Sequence, residues 1–250
     1  MFKSVNTWFV FSIFIGVFAI FVPPANAWYT KLKPGQRPTH FLLTHLSSEA
    51  LIHFRLYDQE AIYKGSNEPD DHGLQDHTAS ARRSYQSWNA ATKKCRKGDR
   101  YWTVRRLARS FHYLQDYGDP TDYLRGSYKN HVRLMAHDML MQGNWVKGNR
   151  QWQSDYHQFY KQAFGMSMKE ILNFAKKEAR QIGYEIKNQK YQDDRSIQMQ
   201  LLKTFSLIAA CQNRAVELLA SRCQQSDPYP EPIFESQPRY DYGSEAAPRP

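Results

Sequence analysis

Two side chains in the middle of the sequence have the spacing needed to bind a common ligand. His112 and Asp116 stand four residues apart in a stretch with helical periodicity, so they lie about one turn apart on the same face of a helix. An imidazole and a carboxylate in this arrangement can bind the same metal ion. The pair alone also fits a core histidine with a local carboxylate partner, so a metal site requires further ligands elsewhere in the chain.

Other candidate ligands are distributed over the N-terminal half. His45 interrupts a helical stretch, and Asp70 and His77 occur in a segment without apolar periodicity. Trp28 follows a segment that is typical of a cleaved export signal, and cleavage after Ala27 would give Trp28 a free α-amine. Nitrogen and oxygen donors of these kinds bind zinc at about 2.0–2.2 Å. The sequence therefore predicts a zinc centre assembled from distant segments.

Residues 1–27 have the composition of an export signal. Lys3 is their only charged side chain, an apolar run covers residues 8–22, and the small-x-small pattern Ala-Asn-Ala stands at residues 25–27. The apolar run is shorter than the roughly 20 residues that span a bilayer, and no second candidate follows. We therefore expect a mature chain that begins at Trp28, has no transmembrane segment and is secreted or periplasmic.

The mature chain is predicted to form one all-α domain over residues 28–225. Apolar residues recur at helical spacing, and no segment has the strict alternation of a strand. The predicted helices cover about 39–63, 79–94, 99–116, 122–142, 151–163, 167–187 and 194–222. Gly118 and Pro120 are expected to end the helix that carries His112. Residues 65–78 are expected to form a loop, and the Pro-rich residues 226–250 a flexible tail.

The charge of the chain favours anionic partners. The formal net charge is +10, and it falls to +9 without Lys3. Such a surface suits phospholipid headgroups or nucleic acid, and the charge does not distinguish between them. The basic stretch at 92–106 contains interleaved aromatic residues and could follow a nucleic-acid backbone, although a solvated helix face is the simpler interpretation.

The three cysteines leave the disulfide pairing open. Cys211 and Cys223 stand 12 residues apart in a helical pattern. An unbroken helix would hold them about 18 Å apart, which is too far for a disulfide. A bond that includes Cys95 is possible, but its partner does not follow from the sequence.

Several of these segments resemble the zinc-dependent phospholipase C family, which includes the clostridial alpha-toxin catalytic domain and is related to single-strand nucleases of fungi and plants. The likeness runs from Trp28 to about Met135, through the strings AWYT, THL, GSNEPD, QDHT and HYLQDYGDP. Members are all-helical and bind three zinc ions. The resemblance implies a secreted phospholipase C that cleaves phospholipid at a membrane surface into diacylglycerol and a phosphorylated headgroup. A nuclease on the same scaffold and a metal-stabilised binding protein are the alternatives.

The resemblance also implies roles for the candidate ligands. Two neighbouring zinc ions are expected, with one shared carboxylate between them. One ion would have the ligands Trp28, His45 and Asp116. The other would have the ligands Asp70, His77, His112 and Asp116. Asp70 and Asp116 are the expected catalytic residues, and Asp70 is the expected general base because a carboxylate beside the metal ions can accept the proton of an attacking water.

The third zinc site of the family is incomplete in this sequence. Asp122 stands where the family has a histidine, His131 is retained, and Met135 replaces the acid. A thioether is a poor zinc ligand beside oxygen donors. Asp122 and His131 remain candidate ligands for a third ion that is absent, weakly bound or completed by another residue. His40 has no counterpart in the family and is expected to be an ordinary side chain.

Overall fold

The computed structural model of the chain describes residues 38–71, 79–188 and 193–223. Within these ranges the secondary structure is helical without strands, so the predicted all-α fold is confirmed. The expected export signal, the ligands Trp28 and His77, and the expected tail lie outside the described residues. The α-helices, in chain order, are α1 (Thr39–His45), α2 (Ser48–His53), α3 (Gln59–Asp71), α4 (Ser80–Cys95), α5 (Arg100–Tyr117), α6 (Gly126–Met141), α7 (Gly143–Gly148), α8 (Arg150–Ala163), α9 (Met168–Asn188) and α10 (Asp194–Cys223).

The single helix predicted over 39–63 is wrong, because the structure divides this stretch into α1, α2 and the start of α3. Leu46 and Ser47 form a turn after α1. Arg55, in the turn after α2, has a φ of 58°. A left-handed conformation is uncommon for a residue other than glycine and interrupts a helix whatever the apolar spacing around it. The apolar residues therefore keep a helical spacing across two breaks that the pattern does not reveal.

The loop predicted over 65–78 is wrong in its first part, because α3 continues through Pro69 to Asp71. Proline lacks the backbone N–H that bonds to the carbonyl four residues back, so it normally ends a helix. Here the loss falls in the last turn, with only two residues still to follow. α3 consequently carries Ser66 and Asp70 one turn apart on the same face.

The later helices follow the prediction with small shifts at their ends. Gly118 ends α5 as expected, but its φ of −95° shows that it does not adopt the left-handed cap. α6 begins at Gly126 rather than near 122, because Pro120–Tyr123 form a 3-10 helix in front of it. The short helix α7 has no counterpart in the predicted pattern.

α10 is the central helix of the core and packs mainly against α8 and α9, with further contacts to α4. Trp88 of α4 is fully buried and donates its Nε1–H to the carbonyl of Ala215 at 3.0 Å. A disulfide joins Cys95 at the end of α4 to Cys223 at the end of α10, and Cys211 is a buried free thiol. The exclusion of a Cys211–Cys223 bond is thus confirmed. None of the described helices is both long enough and apolar enough to span a membrane.

Three helices position the candidate ligands, since α1 and α3 both pack against α5. α3 lies close against α5 at Gly65. A Cβ added to Gly65 would overlap the carbonyl oxygen of Arg105 and stand 2.8 Å from the Cβ of Ala108. The absence of a side chain at this position is therefore what lets the two helices come together beside the site.

Candidate metal centre

Imidazoles and carboxylates from α1, α3 and α5 converge at one buried place. His40, Asp70 and His112 each offer one ligand atom, and these atoms lie within 4.8 Å of one another. Asp116 completes the group. Its Oδ1 is 3.4 Å from His40 Nε2 and its Oδ2 is 3.3 Å from His112 Nε2. The two imidazole rings lie with their centroids 3.8 Å apart. We call these four residues the His–Asp centre.

Hydrogen bonds on the far side of each ring orient the histidines. His112 Nδ1 lies 2.7 Å from the carbonyl oxygen of Ser66, and because a carbonyl only accepts, Nδ1 must carry the proton. His40 Nδ1 lies 2.7 Å from Gln115 Oε1, another acceptor. In the neutral form of each ring the lone pair is therefore on Nε2, which faces the carboxylates. A hydrogen bond of this kind on the outer nitrogen is typical of histidines that bind metal.

The amide orientation of Gln115 follows from its second contact. Gln115 Nε2 donates to Thr44 Oγ1 at 3.0 Å, and Thr44 Oγ1 in turn donates to the carbonyl of His40 at 2.9 Å. The Thr44 hydroxyl has a single hydrogen, so it accepts from the amide nitrogen while donating to the carbonyl. This arrangement leaves Gln115 Oε1 to accept from His40. α1 and α5 are thus linked by a chain of buried hydrogen bonds whose directions agree.

The carboxylates of the His–Asp centre stabilise positive charge on His112. Burial opposes the charged form of His112, but the carboxylates of Asp116 and Asp70 and the Ser66 carbonyl outweigh this, so the pKa of His112 is raised. Nearby, burial lowers the pKa of His137, whose Nδ1 lies 3.0 Å from Thr39 Oγ1. This bond holds the start of α1 against α6. The carboxylates therefore make the centre attractive to positive charge, whether the charge is a proton or a metal ion.

The donor set fits zinc in type and spacing. Two imidazole nitrogens with carboxylate oxygens are usual zinc ligands, and tetrahedral bonds of about 2.0–2.1 Å place neighbouring ligand atoms about 3.3 Å apart. The four shortest contacts between imidazole Nε2 and carboxylate oxygen in the centre are 3.3, 3.4, 3.8 and 4.0 Å. Small adjustments would bring all four around one ion. Of the four side chains, Asp70 is the most exposed, at 11%.

Three expected ligands, Asp70, His112 and Asp116, belong to the centre, whereas His45 is not a member of the ligand group. His45 packs instead against the rings of Phe41 and Tyr57, with centroids 4.4 and 6.0 Å away. The imidazole that α1 contributes is that of His40. His45 lies five positions after His40, which turns their side chains about 140° apart around the helix axis.

The polar residues of α1 and the turn after it contain a sequence signal for His40. His40, Thr44 and Ser47 follow helical spacing, and all three are buried in the structure. Buried polar groups need hydrogen-bond partners or ligands, so a polar stripe on an otherwise apolar helix indicates an internal polar site. The string THL, on which the resemblance rested, contains His45, whereas the buried polar residues include His40.

The candidate ligands of a third ion are occupied elsewhere. Asp122 Oδ1 accepts from Lys129 Nζ at 2.9 Å and lies 3.6 Å from Arg133. His131 is half-exposed and lies 3.3 Å from Asp194 at the start of α10. The structure therefore gives these two side chains separate ion-pair partners and does not gather them in one metal-ligand group. Neither is in the ligand group formed by His40, Asp70 and His112.

The 3-10 helix after α5 is held by a buried ion pair. Arg133 NH2 lies 3.2 Å from Asp119 Oδ2, and Asp119 also accepts from the backbone N–H and hydroxyl of Thr121. Burial raises the pKa of Asp119 to about 7, against the lowering effect of Arg133. Asp119 thus serves as a helix cap next to the end of α5.

Substitution of the two α1 histidines separates their roles. We expect His40→Ala to lose bound zinc, because it removes one imidazole and leaves the carboxylates to hold the ion alone. His45→Ala is the matched control in the same helix and should keep the zinc content of the parent protein. Metal analysis of the dialysed proteins measures both. Zinc loss in His45→Ala with retention in His40→Ala would restore the ligand set expected from the sequence.

The fold and the centre define an all-α protein with a candidate His–Asp metal site. Comparison of the chain with protein-family models, with curated proteins and with solved structures finds no match.

Proposed function

We propose that this protein is an exported, zinc-dependent hydrolase of phosphate diesters that acts at the His–Asp centre. The observation that carries the proposal is the convergence of His40, Asp70, His112 and Asp116 from three helices, with both imidazoles oriented for ligation. A zinc ion held there would supply a Lewis acid for the phosphoryl oxygen and would activate water as the nucleophile.

The chain itself contributes orientation and a proton acceptor. Ser66 and Gln115 hold the two rings so that neither can turn its protonated nitrogen inward. Asp116 lies against both rings from inside, at 6% exposure, which suits a carboxylate that binds rather than reacts. Asp70 is on the more exposed side and is the carboxylate best placed to accept a proton from an attacking water.

The proposed substrate is a phospholipid, cleaved on the glycerol side of the phosphate. The support comes from the likeness of the sequence strings to the phospholipase C family and from the net positive charge, which favours an anionic surface. The centre supplies part of the ligand set that the family implies, with His40 in place of His45. The same scaffold would serve a single-strand nuclease, so the substrate has to be decided by experiment.

The test combines metal analysis with two activity assays on the mature protein starting at Trp28. We expect bound zinc, release of phosphocholine from phosphatidylcholine vesicles, and loss of that release after chelation and its return when zinc is restored. Release of nucleotides from single-stranded DNA without release of phosphocholine would identify the protein as a nuclease and not a phospholipase. Tightly bound zinc with neither activity would indicate a metal-stabilised binding protein, and absence of zinc would end the proposal.

A further inference from the structure

Three arginines of α5 gather around one carboxylate of α3. Arg109 NH1 donates to Glu68 Oε1 at 2.8 Å, and Arg105 Nε donates to Glu68 Oε2 at 3.2 Å. Arg106 NH1 lies 3.9 Å from Glu68 Oε1. We call these four residues the arginine cluster. Three guanidinium groups share one carboxylate, so the arginine cluster has a surplus of positive charge.

Aromatic rings hold the guanidinium groups in place. Arg105 and Arg106 have their Cζ atoms 4.8 and 5.6 Å from the centroid of the Trp102 ring. Arg109 has its Cζ 5.9 Å from the centroid of Tyr113. Stacking of this kind restricts a side chain that would otherwise lose much conformational freedom on binding. The cations are therefore ordered before any ligand arrives, which lowers the entropic cost of binding one.

The arginine cluster remains open to an anion. Its arginine side chains keep between 21 and 33% of their surface exposed, and Arg106 is the most exposed. Guanidinium groups match the oxygens of phosphate by paired N–H donors.

We propose that the arginine cluster is a phosphate-binding site, which takes the phosphate group of a lipid headgroup or a free phosphate. The site lies beside the His–Asp centre. Arg109 precedes His112 by three residues on α5, a rise of about 4.5 Å that makes the two side chains neighbours on the helix surface. If the proposed function holds, this position lets the arginine cluster hold the phosphate of a substrate or product next to the centre.

The decisive variant is Arg106→Gln. Arg106 makes the longest ion-pair contact of the three arginines, so its replacement leaves the closer Glu68 pairs with Arg105 and Arg109 in place. Titration calorimetry of the metal-loaded full mature chain with inorganic phosphate should show a dissociation constant raised about tenfold, which corresponds to about 1.4 kcal/mol. Arg195→Gln removes the same charge from an exposed position on α10 and should leave the constant unchanged.

A second variant tests the same site in the opposite direction. Glu68→Gln keeps the shape of the side chain but removes the competing carboxylate, so phosphate should bind several-fold more tightly. Equal constants for Arg106→Gln and Arg195→Gln, or weaker binding in Glu68→Gln with an unchanged unfolding midpoint, would overturn the proposal. Zinc content and hydrolysis, measured on the same preparations, show separately whether the proposed function fails.

Two further probes identify the source of the phosphate. Phosphocholine in the calorimeter represents a free headgroup, and sedimentation with phosphatidylglycerol vesicles represents a lipid surface. If Arg106→Gln weakens vesicle binding and Arg195→Gln does not, lipid phosphates reach the site. If only the binding of inorganic phosphate and phosphocholine weakens, the site takes free phosphates. Both results support a phosphate site, and an unchanged affinity for all three probes contradicts it.

Discussion

Asp116→Asn is expected to abolish hydrolysis and to weaken zinc binding by more than about 100-fold. Replacing residues that merely orient metal ligands costs about 10–100-fold, and Asp116 contacts both imidazoles of the centre directly. The substitution keeps the size of the side chain but removes the negative charge that offsets the charge of the ion. It also leaves an amide nitrogen facing imidazole atoms that should act as ligands.

The measurement is a zinc competition titration together with the rate of phosphocholine release. Asp138→Asn is the matched control, because Asp138 is exposed on α6 and the chemical change is the same. Far-ultraviolet circular dichroism checks that both variants remain helical. Wild-type zinc affinity in Asp116→Asn would show that the centre does not hold the metal.

Gly65→Ala is expected to lower the free energy of unfolding by about 3 kcal/mol and to weaken zinc binding as well. Overpacking typically costs about 1–3 kcal/mol, and here the new methyl group meets a backbone oxygen, which cannot rotate away as a side chain can. α3 must therefore move away from α5. Because α3 carries Asp70 and α5 carries His112, the same movement separates two members of the centre.

Gly148→Ala provides the control, since a Cβ at that position would have no atom within 4 Å. Its stability should stay equal or rise by up to about 1 kcal/mol, as the alanine restricts the unfolded chain. Urea unfolding followed by circular dichroism measures both variants. Equal stability and zinc affinity for Gly65→Ala and the parent protein would mean that the helix pair can relax without disturbing the centre.

The helices were largely predictable because their apolar faces repeat over many residues. α9 begins and ends one residue later than predicted, α10 begins where predicted and ends one residue later, and both bury long apolar stripes. The breaks were not predictable, since they depend on single residues such as Arg55, whose backbone conformation leaves no mark on the apolar spacing. At Pro69 the sequence predicts a helix end that the structure does not have. α3 continues to Asp71, because its packing on α5 outweighs the local preference of proline.

The residues of the His–Asp centre were also predictable only in part. His112 and Asp116 belong to one helix, so their spacing alone placed them together. His40 had to be chosen among several histidines, and only the register of α1 against α5 makes that choice. The motif string selected His45, whose ring faces Phe41 and Tyr57. Which residues different helices contribute as ligands thus depends on helix packing, and the pattern of a single sequence does not reveal that packing.

The bond between Cys95 and Cys223 has a consequence for the order of events during folding. The two cysteines are separated by 128 residues in the sequence, so the docking of α4 against α10 is what brings their sulfurs together. The competing thiol, Cys211, is on α10 itself, and early winding of that helix holds it about 18 Å from Cys223. Local helix formation therefore protects the chain from a Cys211–Cys223 bond.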